Sequence, residues 1–263
     1  MFKILRSLVG KILPENLQMK VIIFLSDIFW SFRKYFLGAE VDYPKEFLDN
    51  WHYIKKKSSQ DRERNFTIYQ LIKIHNEIFK DQQTSVLEFG VDRGGTVSTI
   101  SKFIKSNTNI FALDSFGEYS DQIKKNITDL DPHYKGTYKP FTKKTRFKDF
   151  NYKDLEDKLN AELINKKCNL KFMCCYFPDS LNEDEKITLK NQTYSFVHFD
   201  FDLYKPTCDA INFVLPLLEK NAILLFDDFN MINQDGVKPA VLESKININR
   251  CFQTPSGQLI CFT

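Results

Sequence analysis

The chain has 263 residues, of which 43% are hydrophobic and 27% are charged. This length and composition are typical of a folded protein with a large core, organised as one α/β domain with a lead-in segment or as two small domains. The formal net charge of +3 argues against nucleic-acid binding, which usually shows as a concentrated basic surface.

Residues 1–59 are predicted to form a helical lead-in to a main domain at 60–263. Between Phe2 and Leu13 the apolar residues recur at helical spacing, with basic residues elsewhere on the helical wheel. Such a helix packs on its own domain or on a second copy of the chain, or it rests on an anionic membrane surface. Charged residues interrupt the apolar clusters, so no run reaches the roughly 20 residues of a membrane span. No small-residue cleavage site of a signal peptide is present either.

The cysteines and histidines give no sign of a zinc site. The six cysteines contain no CxxC pair, and the four histidines show no helical pairing. Cys174 and Cys175 fall in an apparent strand, where buried thiols behave as small hydrophobic groups. We therefore expect a reducing compartment and a cytoplasmic protein.

From residue 60 onward, predicted helices and strands alternate along the chain. Helical periodicity or composition predicts helices at 61–80, 96–106, 155–166, 183–191, 208–220 and 236–246. Near-continuous apolar runs predict strands at 85–91, 109–116, 169–177, 194–202 and 222–229. Residues 251–263 are predicted to form a hairpin. The alternation predicts a doubly wound, mostly parallel α/β sheet, and the hairpin adds two antiparallel strands to make seven.

One segment, 117–150, interrupts this alternation and is predicted to be a lid or insert. Long loops in compact domains are usually functional or disordered. Between His133 and Lys148 the segment has five lysines, one arginine and no acid. We expect this segment to bind a phosphate group of a ligand, or to be a solvated loop without a specific partner.

Acidic residues collect at the ends of four predicted strands, where ligands bind in an open α/β sheet. A single aspartate at such a place is usually a turn former or a helix cap. Six acids at equivalent positions indicate a binding site instead. They are Glu88, Asp114, Asp200, Asp202, Asp227 and Asp228.

The first of these strands leads into a glycine-rich turn that includes Gly90, Gly94 and Gly95. Its spacing is not the GxGxxG of a dinucleotide site, which disfavours a nicotinamide oxidoreductase. Glycines let the backbone approach a ligand closely. Asp114, which closes the second strand, is placed to accept hydrogen bonds from ribose hydroxyls. The layout favours a nucleoside-type cofactor without a pyrophosphate, such as S-adenosylmethionine.

The later aspartates suggest a metal site. Asp200, Asp227 and Asp228 converge if the fourth and fifth strands are neighbours, and close carboxylates repel unless a cation neutralises them or their pKa values rise. Oxygen ligands favour Mg²⁺ or a similar hard divalent ion. Asp202 points the same way as Asp200 by the period of a strand. We expect it to act as the general base on an acceptor hydroxyl held by the metal.

Several motifs together resemble those of the macrocin O-methyltransferase (TylF-like) family. They are VLEFGVDRGGTVS, ALDSF, YFPDSL, VHFDFDLYKPTCDA and LLFDDF…GVKPAV. The similarity runs from about residue 60 to the C-terminus. It implies a class I methyltransferase with a Rossmann-like fold, which uses S-adenosylmethionine and Mg²⁺ to methylate a hydroxyl of a sugar or sugar-containing precursor.

The resemblance also implies roles for individual residues. Cofactor binding is expected of Glu88, Gly90, Val91, Arg93, Gly94, Gly95, Thr96, Asp114, Ser115, Phe177, Asp179, Ser180 and Asp200. The metal ligands would be Asp200, Asp227 and Asp228, and the base would be Asp202. Independently of the resemblance, the acceptor is predicted to meet Lys143, Lys144 and Arg146 of the basic segment, and Tyr204.

Other interpretations remain open at this point. The same fold could methylate a small phosphorylated metabolite that is not a sugar, or could bind S-adenosylmethionine without catalysis. The partners considered are a small-molecule acceptor and a second copy of the chain, with no nucleic acid.

Overall fold

The structure is a computed structural model that describes residues 42–58, 60–135, 142, 144, 146–163, 168–231 and 234–263. The amphipathic pattern between Phe2 and Leu13 lies outside these residues. At the centre is one seven-stranded sheet. Its strands are β1 (Gln83–Phe89), β2 (Asn107–Asp114), β3 (Asn169–Cys174), β4 (Tyr194–Phe199), β5 (Leu218–Phe226), β6 (Cys251–Gln253) and β7 (Leu259–Phe262).

The strand order is β3-β2-β1-β4-β5-β7-β6. Strands β1 to β5 are parallel, whereas β7 runs antiparallel to β5 and to β6. The mostly parallel sheet with its C-terminal antiparallel hairpin confirms the predicted fold class. After β3 the chain returns to the other side of β1, so the order reverses between β1 and β4. In doubly wound sheets this reversal opens a crevice at the carboxyl ends of the strands.

Helices cover both faces of the sheet. They are α1 (Lys45–Ile54), α2 (Arg62–Ile78), α3 (Gly95–Phe103), α4 (Ser120–Lys125), α5 (Ile127–Leu130), α6 (Tyr152–Glu162), α7 (Glu183–Lys190), α8 (Tyr204–Val214) and α9 (Val237–Leu242), with 3₁₀ turns at Leu215–Leu217 and Ile248–Arg250. Buried residues of α1, α2, α3 and α6 pack in one hydrophobic cluster, and those of α7, α8 and α9 pack in a second. The central strands are buried on both sides, which explains their continuous apolar sequences.

The boundaries around α8 and β5 differ from the sequence prediction. The helix predicted at 208–220 begins at Tyr204 and ends at Val214, and β5 begins already at Leu218. Pro216 lies in the 3₁₀ turn between them. Because proline has no N–H and its ring clashes with the preceding turn, the α-helix cannot continue through it.

The C-terminal hairpin contains a disulfide that the sequence did not predict. Cys251 of β6 and Cys261 of β7 are directly paired in the hairpin register and are bonded through sulfur. The pairing depends on that register, and no spacing motif signals it. The other cysteines are free thiols, and Cys175 is buried as expected. Within the described ranges, none of the helices has the length and apolarity to cross a membrane.

Candidate active site

A cavity lies at the carboxyl edge of the sheet, where β1, β2, β4 and β5 end. We call its two parts the cofactor end, after the cofactor that the sequence predicts there, and the acid end. The cofactor end is lined by Gly90, Asp92, Leu113, Asp114, Ser115, Ile123, Phe147, Cys175, Tyr176 and Phe177. The acid end is lined by Gln60, Arg64, Asp200, Phe201, Asp202, Leu203, Pro206, Asp227, Asp228 and Gln234. The structure therefore brings five of the six predicted acids to one cavity.

Asp114 organises the cofactor end. Its Oδ2 accepts hydrogen bonds from the N–H groups of Val91 (2.7 Å) and Asp92 (2.8 Å), and its Oδ1 accepts one from Phe116 (2.7 Å). Burial raises the pKa of Asp114 to about 6, although these N–H donors oppose the shift. The carboxylate thus fixes the turn after β1 and lines the cavity, and its role toward a ribose stays a prediction.

Close contacts within the protein require glycine at three positions of that turn. A Cβ on Gly90 would lie 1.9 Å from the carbonyl oxygen of Asp200, and one on Gly94 would lie 2.4 Å from Leu155. A Cβ on Gly95 would lie 2.5 Å from the Cα of Ser58. Gly90 lines the cavity, whereas Gly94 and Gly95 serve close packing of α3. Of these three glycines, only Gly90 is in the cavity lining, and the contact of each with a cofactor stays a prediction.

Glu88 is the one predicted acid outside the cavity lining. It is fully buried, and its Oε1 lies 3.3 Å from His198 Nδ1. Burial raises the pKa of Glu88. Burial opposes protonation of His198, but Asp227 and Glu88 outweigh it and raise the pKa of His198 to about 9. Glu88 and His198 therefore form a buried pair beneath the cavity floor.

The remaining predicted cofactor residues divide between the cavity and the surface. Ser115 and Phe177 line the cavity, whereas Asp179 and Ser180 are exposed in the following turn. The Arg93 guanidinium lies 5.9 Å from the ring centroid of Phe150. Thr96 is buried and its hydroxyl lies 3.4 Å from Gln60 Oε1.

Three aspartates meet at the acid end. Carboxylate oxygens of Asp200, Asp202 and Asp228 lie within 4.8 Å of one another. Burial, followed by repulsion from the neighbouring aspartates, raises the pKa of Asp200 and of Asp202 well above the ordinary value. Asp228 is 3% exposed, and its Oδ2 has no hydrogen-bond partner. Clustered carboxylates with an unpartnered buried oxygen fit a hard divalent cation.

Asp227, which the sequence predicted as a metal ligand, is bound by other side chains of the protein. Arg64 donates from Nη1 to its Oδ2 and from Nη2 to its carbonyl oxygen at 3.1 Å. Gln258 donates to its Oδ1 at 2.7 Å. Burial would raise the pKa of Asp227, but Arg64 and His198 hold it below the ordinary value. The structure thus groups Asp202, and not Asp227, with the other two aspartates.

Four polar residues of the site were missed by the sequence analysis: Gln60, Arg64, Gln234 and Gln258. Arg64 is 5% exposed and falls in register with the buried Ile68 and His75 of α2. A charged residue within an apolar helical stripe was therefore the available signal. Gln60 donates to Asp200 Oδ2 at 3.3 Å, and Gln234 donates to Asp202 Oδ1 at 2.8 Å. Single glutamines in loops give no comparable signal.

The predicted acceptor residues that the structure describes lie outside the cavity lining. Lys143 lies outside the described residues, and Lys144 is exposed. Arg146 forms a two-point ion pair with Asp92 of the turn after β1. The Tyr204 hydroxyl donates to Glu243 at 2.5 Å. Their role toward an acceptor stays a prediction.

Solved structures show what this fold is similar to. The O-methyltransferase NovP is 15% identical, with a TM-score of 0.54 over 93% of this chain and 98% of that chain. The calicheamicin methyltransferase CalS11 is 15% identical, with a TM-score of 0.52 over 91% of each chain. An apo structure of CalS11, described as a TDP-rhamnose 3′-O-methyltransferase, is 14% identical, with a TM-score of 0.51 over 95% of this chain and 96% of that chain.

No family model matches the sequence, and no curated protein matches it. The chain has the Rossmann-like fold of solved O-methyltransferases.

Proposed function

We propose that this protein is an S-adenosylmethionine-dependent O-methyltransferase that acts on a hydroxyl of a sugar or sugar-containing acceptor with the help of Mg²⁺ or a similar divalent cation. The observation that carries the proposal is the single cavity that joins Asp114 to the cluster of Asp200, Asp202 and Asp228. The proposed nucleoside-binding acid and the proposed cation site thus line the same cavity. The similar folds of NovP and CalS11 support the same class of reaction.

The cofactor end suits S-adenosylmethionine. Asp114 would accept hydrogen bonds from the ribose hydroxyls, while Phe147 and Phe177 supply apolar surface for the adenine. When bound there, S-adenosylmethionine supplies a methyl group on a positively charged sulfur. The chain's residues orient that group toward the acid end.

At the acid end, we assign Asp200 and Asp228 as cation ligands and Asp202 as the base. A bound cation would supply positive charge that lowers the pKa of an acceptor hydroxyl. Asp202 takes the hydroxyl proton while the acceptor oxygen bonds to the methyl carbon. The electrons of the broken carbon–sulfur bond leave with S-adenosylhomocysteine. Gln234 orients the base through its hydrogen bond to Oδ1, and Arg64 keeps Asp227 in place.

The first experiment incubates the protein with S-adenosylmethionine, Mg²⁺ and a panel of nucleotide sugars that includes TDP-rhamnose, the acceptor named for one similar structure. Mass spectrometry should detect a product heavier by one CH₂ unit. Excess EDTA should stop its formation, and activity that persists in EDTA would exclude the cation. Panel-wide absence of product, despite cofactor binding, would contradict the sugar assignment.

The base is tested by Asp202→Asn. Losing a general base lowers kcat by about 100-fold or more, and the affinity for S-adenosylhomocysteine should stay within about three-fold. Asp209→Asn is the matched control, since Asp209 pairs with Lys205 on α8 outside the cavity lining. Near-normal turnover of Asp202→Asn would remove this residue from the mechanism.

A further inference from the structure

Arg146 joins the end of the 117–150 insert to the glycine-rich turn after β1. Its Nε donates to Asp92 Oδ1 at 2.7 Å, and its Nη2 donates to Asp92 Oδ2. Only 18% of the arginine side chain and 15% of the aspartate side chain are exposed. A two-point pair between a guanidinium and a carboxylate is strong and directional, and partial burial protects it from screening.

Asp92 belongs to the cofactor end of the cavity. It lines the cavity, and its backbone is held in the left-handed region with φ of 51°. Its N–H donates to Asp114 Oδ2 at 2.8 Å. The ion pair therefore connects Arg146, through one intervening residue, to the acid that we assign to the ribose.

A second connection runs through aromatic rings next to Arg146. Phe147, Phe150 and Tyr152, which we call the aromatic wall, surround Phe116 with ring centroid distances of 6.0, 5.7 and 4.8 Å. Phe147 is 3% exposed and lines the cavity. The N–H of Phe116 donates to Asp114 Oδ1. The insert thus approaches Asp114 from two sides, through Asp92 and through Phe116.

We propose that Arg146 is a positioning residue for the cofactor, because its ion pair with Asp92 fixes the glycine-rich turn against the aromatic wall. The inference rests on the proposed function and sharpens it: Arg146 serves the cofactor end and does not bind a phosphate of the acceptor. The positive charge that Arg146 contributes to the insert is then paired with the carboxylate of Asp92.

The test measures the affinity for S-adenosylhomocysteine by calorimetry. Arg146→Gln should raise Kd about 10-fold, within the usual range of coupling between sites. Arg146→Lys should give an intermediate Kd, since an ammonium cannot replace the two-point fork. Lys153→Gln removes an exposed charge from neighbouring α6 and should leave Kd unchanged. An Arg146→Gln Kd within two-fold of the wild type would overturn the proposal.

Two further measurements separate positioning from general damage. Asp92→Asn should raise Kd in the same direction, and combining it with Arg146→Gln should add little, because both changes remove one interaction. Full additivity of the two neutral variants would refute the pairing.

The KM for the acceptor distinguishes a positioning role of Arg146 from a contact between Arg146 and a phosphate of the acceptor. With any nucleotide sugar that is turned over, Arg146→Gln should leave the acceptor KM within about two-fold, whereas a phosphate contact would raise it. A wild-type protein that fails to bind S-adenosylhomocysteine would contradict the proposed function itself. Binding by the wild type with an unchanged Arg146→Gln variant would contradict only the role of Arg146.

Discussion

At the scale of single residues, Asp114 shows how one carboxylate serves both fold and site. It holds the turn after β1 through three N–H donors while facing the cavity. A buried carboxylate loses hydration, and the donors recover only part of that loss, so its pKa rises to about 6. The residue that should hold the ribose is therefore sensitive to pH in the weakly acidic range.

We expect cofactor affinity to fall as the pH drops through about 6. Protonation removes the charge that accepts the ribose hydroxyls, so the Kd for S-adenosylhomocysteine should rise about ten-fold per pH unit below the pKa. Calorimetry between about pH 5 and about pH 8 measures this. Asp114→Asn should bind weakly at every pH with a flat profile. A wild-type Kd that is constant across the range would contradict the role of Asp114.

The raised pKa of Asp114 makes the stability of the free protein change with pH in the direction opposite to that of cofactor affinity. Because the folded pKa lies above the ordinary 3.8, the folded state binds this proton more tightly than the unfolded state does. Asp114 therefore contributes stability below about pH 4 that is lost as the pH rises through about 6. Cofactor binding and apo stability thus change in opposite directions over this interval.

Arg64 decides the arrangement at the other end of the cavity. Four aspartates lie at this end, and a buried charge without a partner is costly. Arg64 neutralises Asp227, and its Nη2 lies 3.5 Å from Asp228 Oδ1. Asp227 is thereby separated from the group of Asp200, Asp202 and Asp228, to which we assign the cation and the base. The sequence places Arg64 163 residues before Asp227, so no local pattern could reveal the pair.

At the scale of elements, the short turn between β1 and α3 is shaped by its neighbours. Gly94 caps α3 with φ of 83°, and Gly95 faces the backbone of Ser58. The chain from α1 to α2 therefore packs directly on the turn. This contact explains why a glycine-rich sequence appears here without the spacing of a dinucleotide site.

Gly95→Ala should destabilise the protein without changing cofactor affinity. The new methyl would lie 2.5 Å from the Cα of Ser58, and overpacking of this kind costs about 1–3 kcal/mol, or roughly 3–10 °C in Tm. Calorimetric unfolding measures the loss of stability, and titration with S-adenosylhomocysteine measures the cofactor affinity. Gln70→Ala on the exposed side of α2 is the neutral control. A large rise in Kd at unchanged Tm would instead place Gly95 against the cofactor.

The five parallel strands and the terminal hairpin were predictable, whereas helices α4 and α5 within the insert and the side-chain partners in the site were not. Continuous apolar runs identified β1 to β5, and strand ends such as Asp114 and Asp200 identified the edge of the sheet that forms the cavity. The division of the aspartates depends on Arg64 and on Gln258, which the terminal hairpin brings to Asp227. Likewise, the partner of Arg146 follows from the path of the insert, which its composition does not specify.

At the scale of the whole molecule, the fold alone permits many functions, because doubly wound sheets bind diverse ligands at the same crevice. What narrows the choice is the order of chemistry along one cavity: an acid suited to a nucleoside at one end and an oxygen-rich cluster at the other. The two ends lie on opposite sides of the reversal in strand order, with Asp114 after β2 and Asp228 after β5. Each end can therefore be tested independently in the intact protein.

Ligand-induced stabilisation should report the two ends separately. Saturation with S-adenosylhomocysteine at about 100 times its Kd contributes about 2.7 kcal/mol, which corresponds to a rise in Tm of about 5–10 °C. NAD should produce no shift, since the turn lacks the spacing of a dinucleotide site. Asp114→Asn should lose the shift with S-adenosylhomocysteine and keep the one with Mg²⁺, whereas Asp228→Asn should do the reverse. Stabilisation by NAD, or no stabilisation by either NAD or S-adenosylhomocysteine, would contradict the assignment of the cofactor end. If each variant lost the Tm shifts with both S-adenosylhomocysteine and Mg²⁺, the two ends would not be separate sites.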